Sequence, residues 1–301
     1  MFPVSEIAEG VYVVDTGGLG YWNTIAAYVV RGSRYAAVLD TGYASGASRI
    51  VSALTRIGVE KGDLRYIIPT HAHLDHCGAS GDLLASYPLS EVYAHERAVP
   101  HLLDPSRLLA SVRSIYSDGL LQRMGGMRPT EEGRTHVLGD GEEIGLGGLT
   151  VRAVYTPGHA PHHLSLEIVE RGYVVTGDAV PSKYPFASYY IPNIVPPRYD
   201  YELALASIKK LFGLGPRLLL TPHYGPLIAS EALMEKYIEV IEACVELARS
   251  LARGAGRVEE LEAAVRRRIA GEVDPRGLHP SIRTALRFVA LSLHQTYSSS
   301  T

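Results

Sequence analysis

Residues 70–76, Thr-His-Ala-His-Leu-Asp-His, concentrate side chains that bind metals, directly after the apolar run 66–69. The segment contains three imidazoles and one carboxylate, those of His71, His73, His76 and Asp75. Histidine is the commonest protein metal ligand, and imidazole with carboxylate suits zinc, iron and related divalent ions. Side chains alternate along an extended chain, so both rings of an HxH pair can lie on one side of it. The spacing predicts a metal site at the end of a strand.

Three more residues of the same types stand where an apolar run breaks into a Gly or Pro turn. They are His159 after Val-Tyr-Thr-Pro-Gly, Asp178 after Tyr-Val-Val-Thr-Gly, and His223 after Leu-Leu-Leu-Thr-Pro. Strand ends at one edge of a sheet bring together residues that are distant in sequence. Seven candidate ligands exceed the four that one ion usually takes, which favours two ions roughly 3.5–4 Å apart.

The ordered series HxHxDH, TPGH, TGD and TPH resembles the metallo-β-lactamase superfamily, in its glyoxalase-II-like hydrolase branch. The resemblance covers about residues 5–230 and includes Asp40-Thr41-Gly42, similar to the Asp-Thr-Gly that ends a strand in that family. It implies an α/β fold, an αββα sandwich of two mixed β-sheets flanked by helices. In this chain we expect a helical insert and a helical C-terminal extension in addition.

The resemblance also implies the ligand set. His71, His73 and His159 would hold one divalent ion, Asp75, His76 and His223 the other, and Asp178 would bridge them. Zinc is favoured, with iron, manganese and cobalt as alternatives. The implied reaction is hydrolysis of an ester-type bond (lactone, carboxylic ester, thiolester or phosphoester) by a hydroxide between the ions. Asp75 and His223 would then act in catalysis as well as in binding the metal.

Other positions are predicted to support the site. Asp40 and His163 are expected to contact ligands rather than bind metal. Lactonases of the superfamily carry a tyrosine three residues after the bridging Asp. Pro181 stands there in this chain, so Tyr184, Tyr189 and Tyr190 are the candidates to replace it, and Tyr184 is the one assigned to catalysis. The glutathione-binding Gly-Cys-Gly-Arg-like stretch is also replaced at this place. Substrate contacts are predicted for Lys183, Tyr184 and Tyr224.

Composition limits the partners. A net charge of −3 over 301 residues offers no electrostatic basis for binding nucleic acid. Two cysteines, Cys77 and Cys244, cannot form a disulfide framework, and no secretory signal or apolar membrane span is visible. We therefore expect a cytoplasmic enzyme with a small-molecule substrate and no membrane partner, and homodimerisation is a hypothesis. Two Asn and two Gln are typical of a thermophile protein, whereas 24 Arg among 29 basic residues would also follow from a GC-rich genome.

The sequence is predicted to form a catalytic domain over residues 1–230 and a helical extension over 231–301 that packs on it, forms a lid or makes a dimer contact. Apolar periodicity predicts one helix over 105–121, within an insert at about 100–130. Later helices are expected to begin after Asp200 and Ser230, both good N-cap residues. An insert between ligand segments is expected to form a wall or a lid of the substrate pocket, with Met127 among the side chains that select substrates.

Two alternatives from the same superfamily remain open. A sulfur dioxygenase would use a single iron ion held by the same three histidines. A phosphodiesterase or nuclease would need a basic groove, which the net charge opposes.

Overall fold

The first sheet forms where short runs of β-branched and small apolar residues alternate with turns. The computed structural model describes residues 4–196, 199–253 and 257–298. The seven strands are β1 (Val4–Ala8), β2 (Val11–Asp15), β3 (Ala26–Arg31), β4 (Ala36–Leu39), β5 (Leu64–Ile68), β6 (Glu91–Ala94) and β7 (Thr135–Val137), in that spatial order. Strands β1 to β4 pair antiparallel, and β4 to β7 pair parallel.

The second sheet has six strands. They are β8 (Glu143–Gly145), β9 (Thr150–Tyr155), β10 (Leu164–Ile168), β11 (Tyr173–Val175), β12 (Leu218–Leu220) and β13 (Leu227–Ile228), in the order β13-β12-β11-β10-β9-β8. Only β11 and β12 pair parallel among these strands. Both sheets are therefore mixed.

Alternation along the strands divides the interior into two cores. On β3, Ala27 and Val29 enter one buried cluster, whereas Tyr28 and Val30 enter another. The first cluster also contains helix residues such as Ile50. The second contains apolar residues of both sheets. One core thus lies between the first sheet and helices and the other between the two sheets, because successive side chains of a strand point to opposite faces. The predicted α/β sandwich is confirmed.

Six helices accompany the sheets: α1 (Ala47–Arg56), α2 (Leu74–Cys77), α3 (Ser80–Ser86), α4 (Val99–Leu103), α5 (Ser106–Arg113) and α6 (Asp118–Met124). The single helix predicted over 105–121 was wrong, since α5 and α6 are separate. Ser117 has extended backbone angles (φ −69°, ψ 154°) that end any continuous helix there. The apolar periodicity persists because both helices still pack Leu109 and Leu121 against the first core.

The described residues divide into two compact units. The core unit comprises those within Met1–Tyr155, His162–Gly177 and Pro216–Ile228, and the helical unit those within Thr156–Pro161, Asp178–Gly215 and Ala229–Thr301. The helical unit thus includes segments that the sequence analysis assigned to residues 1–230. It contains α7 (Tyr201–Gly213), α8 (Glu231–Arg253), α9 (Val258–Ala270) and α10 (Pro280–Ser298).

The starts of two of these helices follow capping chemistry. The Asp200 carboxylate accepts a hydrogen bond from the Leu203 amide at 3.0 Å, and the Ser230 hydroxyl accepts one from the Leu233 amide at 3.2 Å. Both predicted N-caps are confirmed. Among the helices of the described ranges, none combines the length and the apolar character needed to cross a membrane.

Met127 is a core residue rather than the pocket wall expected from the sequence. It is 8% exposed, belongs to the first core, and its Sδ lies 3.9 Å from Cys77 Sγ. We therefore expect Met127→Ala to lower the free energy of unfolding by about 2–4 kcal/mol, as for other buried methionines. Chemical denaturation measures this, with the exposed Arg113→Ala as control; a substrate ranking altered at unchanged stability would contradict it.

Candidate metal centre

The first two predicted ligands lie beyond the carboxyl end of β5, in the core unit. His71 is fully buried, and its Nε2 lies 2.9 Å from His73 Nδ1. Two nitrogens bound at tetrahedral angles to one zinc ion lie about 3.3 Å apart, given Zn–N bonds of about 2.0–2.1 Å. The two nitrogens would therefore have to move only slightly apart to bind one zinc ion between them. His71 Nδ1 is held in turn by the Thr70 hydroxyl at 3.1 Å.

A second ligand group lies in the same unit. Asp75, His76 and His223 each offer one ligand atom, and these three atoms lie within 4.8 Å of one another. The His76 and His223 Nε2 atoms are 3.8 Å and 3.7 Å from the same Asp75 oxygen, Oδ2. Helix α2 places Asp75 and His76 side by side, whereas His223 follows β12. The structure thus unites residues that are distant in sequence, as the motif order predicted.

Asp40 decides which nitrogen His76 can offer. Its side chain is buried, and Oδ2 lies 2.9 Å from His76 Nδ1. Because an ionised carboxylate only accepts, Nδ1 carries the proton and the Nε2 lone pair is available for a metal. Asp40 also accepts the Thr70 amide at 2.7 Å and the Thr70 hydroxyl at 3.2 Å. It therefore positions a ligand and the metal-binding loop together.

A backbone oxygen fixes the tautomer of His223, as Asp40 does for His76. Its Nδ1 lies 3.2 Å from the Thr24 carbonyl, which can only accept, so Nε2 is again the ligand atom. The segment before His223 is anchored by the Tyr28 hydroxyl, which donates to the Thr221 carbonyl at 2.7 Å. The loop that presents Thr24 contacts the insert, because the Arg123 guanidinium donates to the Leu19 carbonyl.

The remaining two predicted ligands contact each other within the helical unit. His159 Nε2 lies 3.4 Å from Asp178 Oδ2, and both residues are buried. His159 Nδ1 donates to the Asn193 carbonyl at 2.7 Å, which leaves Nε2 as its ligand atom. The Asn193 amide donates to Asp178 Oδ1 at 3.1 Å. Asn193 was missed by the sequence analysis; the scarcity of Asn in this chain is the signal that could have revealed it.

The other predicted residues lie as follows. His163 is fully buried, with its ring centroid 4.9 Å from that of His71. Tyr224 is half-buried in the core unit, where burial and the nearby Asp15 raise the pKa of its phenol well above the usual range, so it stays protonated. In the helical unit, the buried Tyr184 ring stacks on Phe186 at 5.2 Å, and Lys183 Nζ lies 5.5 Å from the centre of the Tyr190 ring.

Two further histidines lie near the ligands. His162 Nδ1 accepts the Ala72 amide at 3.3 Å, and its ring lies 6.0 Å from that of His73. His101 lies on α4, with its ring centroid 5.9 Å from that of His162. Cys77, which follows His76, is fully buried in the first core, with its Sγ 3.9 Å from Met127 Sδ, and burial raises the pKa of its thiol.

Comparison with known proteins agrees with this architecture. Residues 20–223 match the metallo-beta-lactamase superfamily. That match spans well over half of the chain, and the two mixed sheets flanked by helices agree with it. The chain belongs to the metallo-beta-lactamase superfamily, and it is a metal-binding enzyme of the hydrolase type.

Individual relatives differ in their described roles. The chain is 27% identical over 277 residues to a metallo-beta-lactamase fold-containing protein of Sulfurisphaera tokodaii, covering 91% of this chain and 97% of the relative. It is 34% identical over 167 residues to an N-acyl homoserine lactonase of Bacillus sp., covering 54% and 56% of the two chains. A metallo-beta-lactamase family protein from Thermus thermophilus shares the fold, with a TM-score of 0.71 over 95% of this chain and 93% of that one at 22% identity.

Proposed function

We propose that this protein hydrolyses an ester-type bond of a small molecule with a dinuclear metal centre. One ion would be held by His71, His73 and His159, the other by Asp75, His76 and His223, and Asp178 would bridge the two. The observation that carries the proposal is the group Asp75–His76–His223, whose ligand atoms lie within 4.8 Å of one another.

The donor chemistry supports this assignment. His76, His223 and His159 each engage Nδ1 with an acceptor oxygen, on Asp40, Thr24 and Asn193 respectively. A ring whose Nδ1–H is committed in this way presents an unprotonated Nε2, the form that binds metal. Imidazole with carboxylate suits zinc, which we propose as the resident ion, more than calcium or magnesium, which prefer oxygen ligands.

The residues of the chain would divide the work of hydrolysis. Bound divalent ions supply Lewis acidity and lower the pKa of coordinated water. Asp75 is 26% exposed at its side chain, unlike the buried His76 beside it, so it can exchange protons with substrate or solvent. We assign Asp75 the role of accepting the proton of the attacking water and returning it to the leaving group. His223, whose Nε2 lies 3.7 Å from Asp75 Oδ2, would act in catalysis with it.

Substrate recognition is assigned to the residues outside the ligand set. The protonated Tyr224 phenol can donate a hydrogen bond to a substrate oxygen. Lys183 and Tyr184 would contribute a charge and an aromatic surface from the helical unit. The likeness to a lactonase and to a hydroxyacylglutathione hydrolase of Gloeobacter violaceus, 28% identical over 148 residues, supports lactones and thiolesters as first candidates.

We also propose that the enzyme is cytoplasmic and comes from a thermophile. Cys77 and Cys244 are both free and buried, which suits a reducing, cytoplasmic environment. The low amide content supports a thermophilic origin. A small-molecule substrate without nucleic acid or membrane partners, and homodimerisation, remain predictions.

Metal quantification followed by a substrate panel tests the proposal. Protein purified after metal-replete expression is expected to carry two divalent ions per chain and to hydrolyse at least one class among p-nitrophenyl esters, lactones, thiolesters and phosphoesters. His223→Ala is expected to lose one ion, because one ligand group loses a member. The control, His136→Ala, changes a half-buried histidine of β7 that contacts Glu91.

Other outcomes distinguish the alternatives. One iron ion per chain, with oxygen consumed in the presence of a persulfide, would replace the hydrolase by a sulfur dioxygenase. Cleavage confined to phosphodiesters, with salt-dependent retention on immobilised DNA, would favour a nuclease. Two ions with no hydrolysis of any ester class would refute the reaction proposed here.

A further inference from the structure

Asn193 occupies a special position among the polar residues of the helical unit. It is one of only two asparagines in 301 residues, and it contacts both ligands of that unit. Its backbone carbonyl accepts the His159 Nδ1–H at 2.7 Å, and its side-chain amide donates to Asp178 Oδ1 at 3.1 Å. One residue thus orients an imidazole through its backbone and a carboxylate through its side chain.

The surroundings determine which way the Asn193 amide is turned. Nδ2 lies 3.1 Å from Asp178 Oδ1 and 2.8 Å from the Val180 carbonyl, and both of these oxygens can only accept. The opposite end, Oδ1, receives the Ser182 hydroxyl at 2.7 Å. Reversing the amide would direct a carbonyl oxygen at two acceptors, so the network permits a single orientation.

Backbone hydrogen bonds join the two ends of the segment 182–191, which precedes Asn193. The Ser182 amide donates to the Ile191 carbonyl at 2.8 Å, and the Ile191 amide donates back to Ser182 at 2.9 Å. Ser182 and Ile191 are both buried. Asn193 follows this closure by two residues, so its backbone is placed before any ion binds. Such preorganisation lowers the entropy lost when a ligand set is assembled.

The consequence concerns the two oxygens of Asp178. Oδ1 is engaged by the Asn193 amide, whereas Oδ2 lies 3.4 Å from His159 Nε2, the ligand atom of that ring. The carboxylate is buried and cannot reorient without breaking the amide contact. Oδ2 is thus the carboxylate oxygen that lies beside the neighbouring ligand atom.

We infer that Asn193 is a positioning residue that holds Asp178 with Oδ2 directed toward the ligand atom of His159 while fixing the tautomer of His159. The inference rests on the proposed function, in which Asp178 is a ligand, and goes further by naming the ligand atom and the residue that selects it. It applies to the helical unit as such, since all of these contacts lie within it.

Two variants of Asn193 separate positioning from packing. Asn193→Asp keeps the size of the side chain and the acceptor for Ser182 but removes both N–H donors. Asn193→Ala removes the whole amide while keeping the backbone carbonyl that orients His159. The matched control is Ser182→Ala, which deletes the hydroxyl bond to Oδ1 and leaves the donation to Asp178 in place.

Metal affinity of the folded protein is the decisive readout, measured by zinc competition against a chromophoric chelator. We expect both Asn193 variants to bind zinc about 10–100-fold more weakly, the range for residues that orient metal ligands. Ser182→Ala should remain within about threefold of wild type. The visible spectrum of the cobalt-substituted protein should change in the Asn193 variants, because Asp178 can then coordinate through either oxygen, and stay unchanged in Ser182→Ala.

The outcomes keep the inference apart from the proposed function. A wild-type chain that binds no divalent ion would overturn both. Wild-type binding with unchanged affinity and cobalt spectrum in Asn193→Ala would overturn the inference alone. A lower melting temperature at unchanged affinity would identify Asn193 as a packing residue and likewise overturn it. If Asn193→Asp fails to fold, the Asn193→Ala measurement decides.

Discussion

Asp178→Asn is expected to lower metal content and hydrolysis together, with activity falling by more than about 100-fold. The magnitude exceeds the 10–100-fold typical of residues that only orient ligands, since Asp178 is proposed to bind both ions. A neutral amide removes the negative charge that offsets two cations, and its NH2 end presents donors either to the metal or to Asn193. Elemental analysis and hydrolysis rates on the same preparation measure both effects.

Asp200→Asn provides the matched control for this substitution. It makes the same chemical change in the same unit, at the N-cap of α7, where asparagine caps a helix as well as aspartate does. Metal content and activity should therefore stay at wild-type values in the control. Full activity in Asp178→Asn would remove Asp178 from the centre and leave the ligands of the core unit to act alone.

Asp40→Asn is expected to weaken the binding of one ion by about 10–100-fold and to lower the free energy of unfolding by about 1–3 kcal/mol. Asp40 receives three donors from Thr70 and His76 while fully buried. An asparagine offers one acceptor oxygen and one NH2 group, so at least one of these donors faces another donor. Either the Thr70 amide loses its partner or His76 shifts its proton to Nε2 and ceases to be a ligand.

The backbone does not confound this prediction. Asp40 has a φ of 56°, in the left-handed region, which asparagine adopts as readily as aspartate. Asp63→Asn is the control, since its carboxylate lies at the surface and accepts the exposed Glu60 amide at 2.9 Å. Zinc competition and chemical denaturation measure the two effects. Two ions held at wild-type affinity in Asp40→Asn would show that His76 keeps its tautomer without the carboxylate.

The ligand loop and the starts of two helices were predictable because their determinants are local. Residues 70–76 carry four ligand-type side chains within seven positions. Their closeness in sequence alone brings His71 near His73 and Asp75 near His76. Likewise α7 and α8 begin directly after their cap residues, Asp200 and Ser230. The division of 105–124 into α5 and α6 was not predictable in this way, because both helices share one apolar face.

The hydrogen-bond partners that orient the ligands were determined by the tertiary structure. Asp40 meets His76 across 36 positions, and the Thr24 carbonyl meets His223 across 199. A backbone carbonyl has no sequence signature, because every residue carries one. The role of Asn193 could not be predicted from sequence either. Its amide lies beside Asp178 because backbone hydrogen bonds between Ser182 and Ile191 fix the segment that precedes it. Residue types determine which atoms can bind a metal, whereas the fold selects which nitrogen or oxygen of each residue is left to do so, because that selection depends on hydrogen-bond partners distant along the chain.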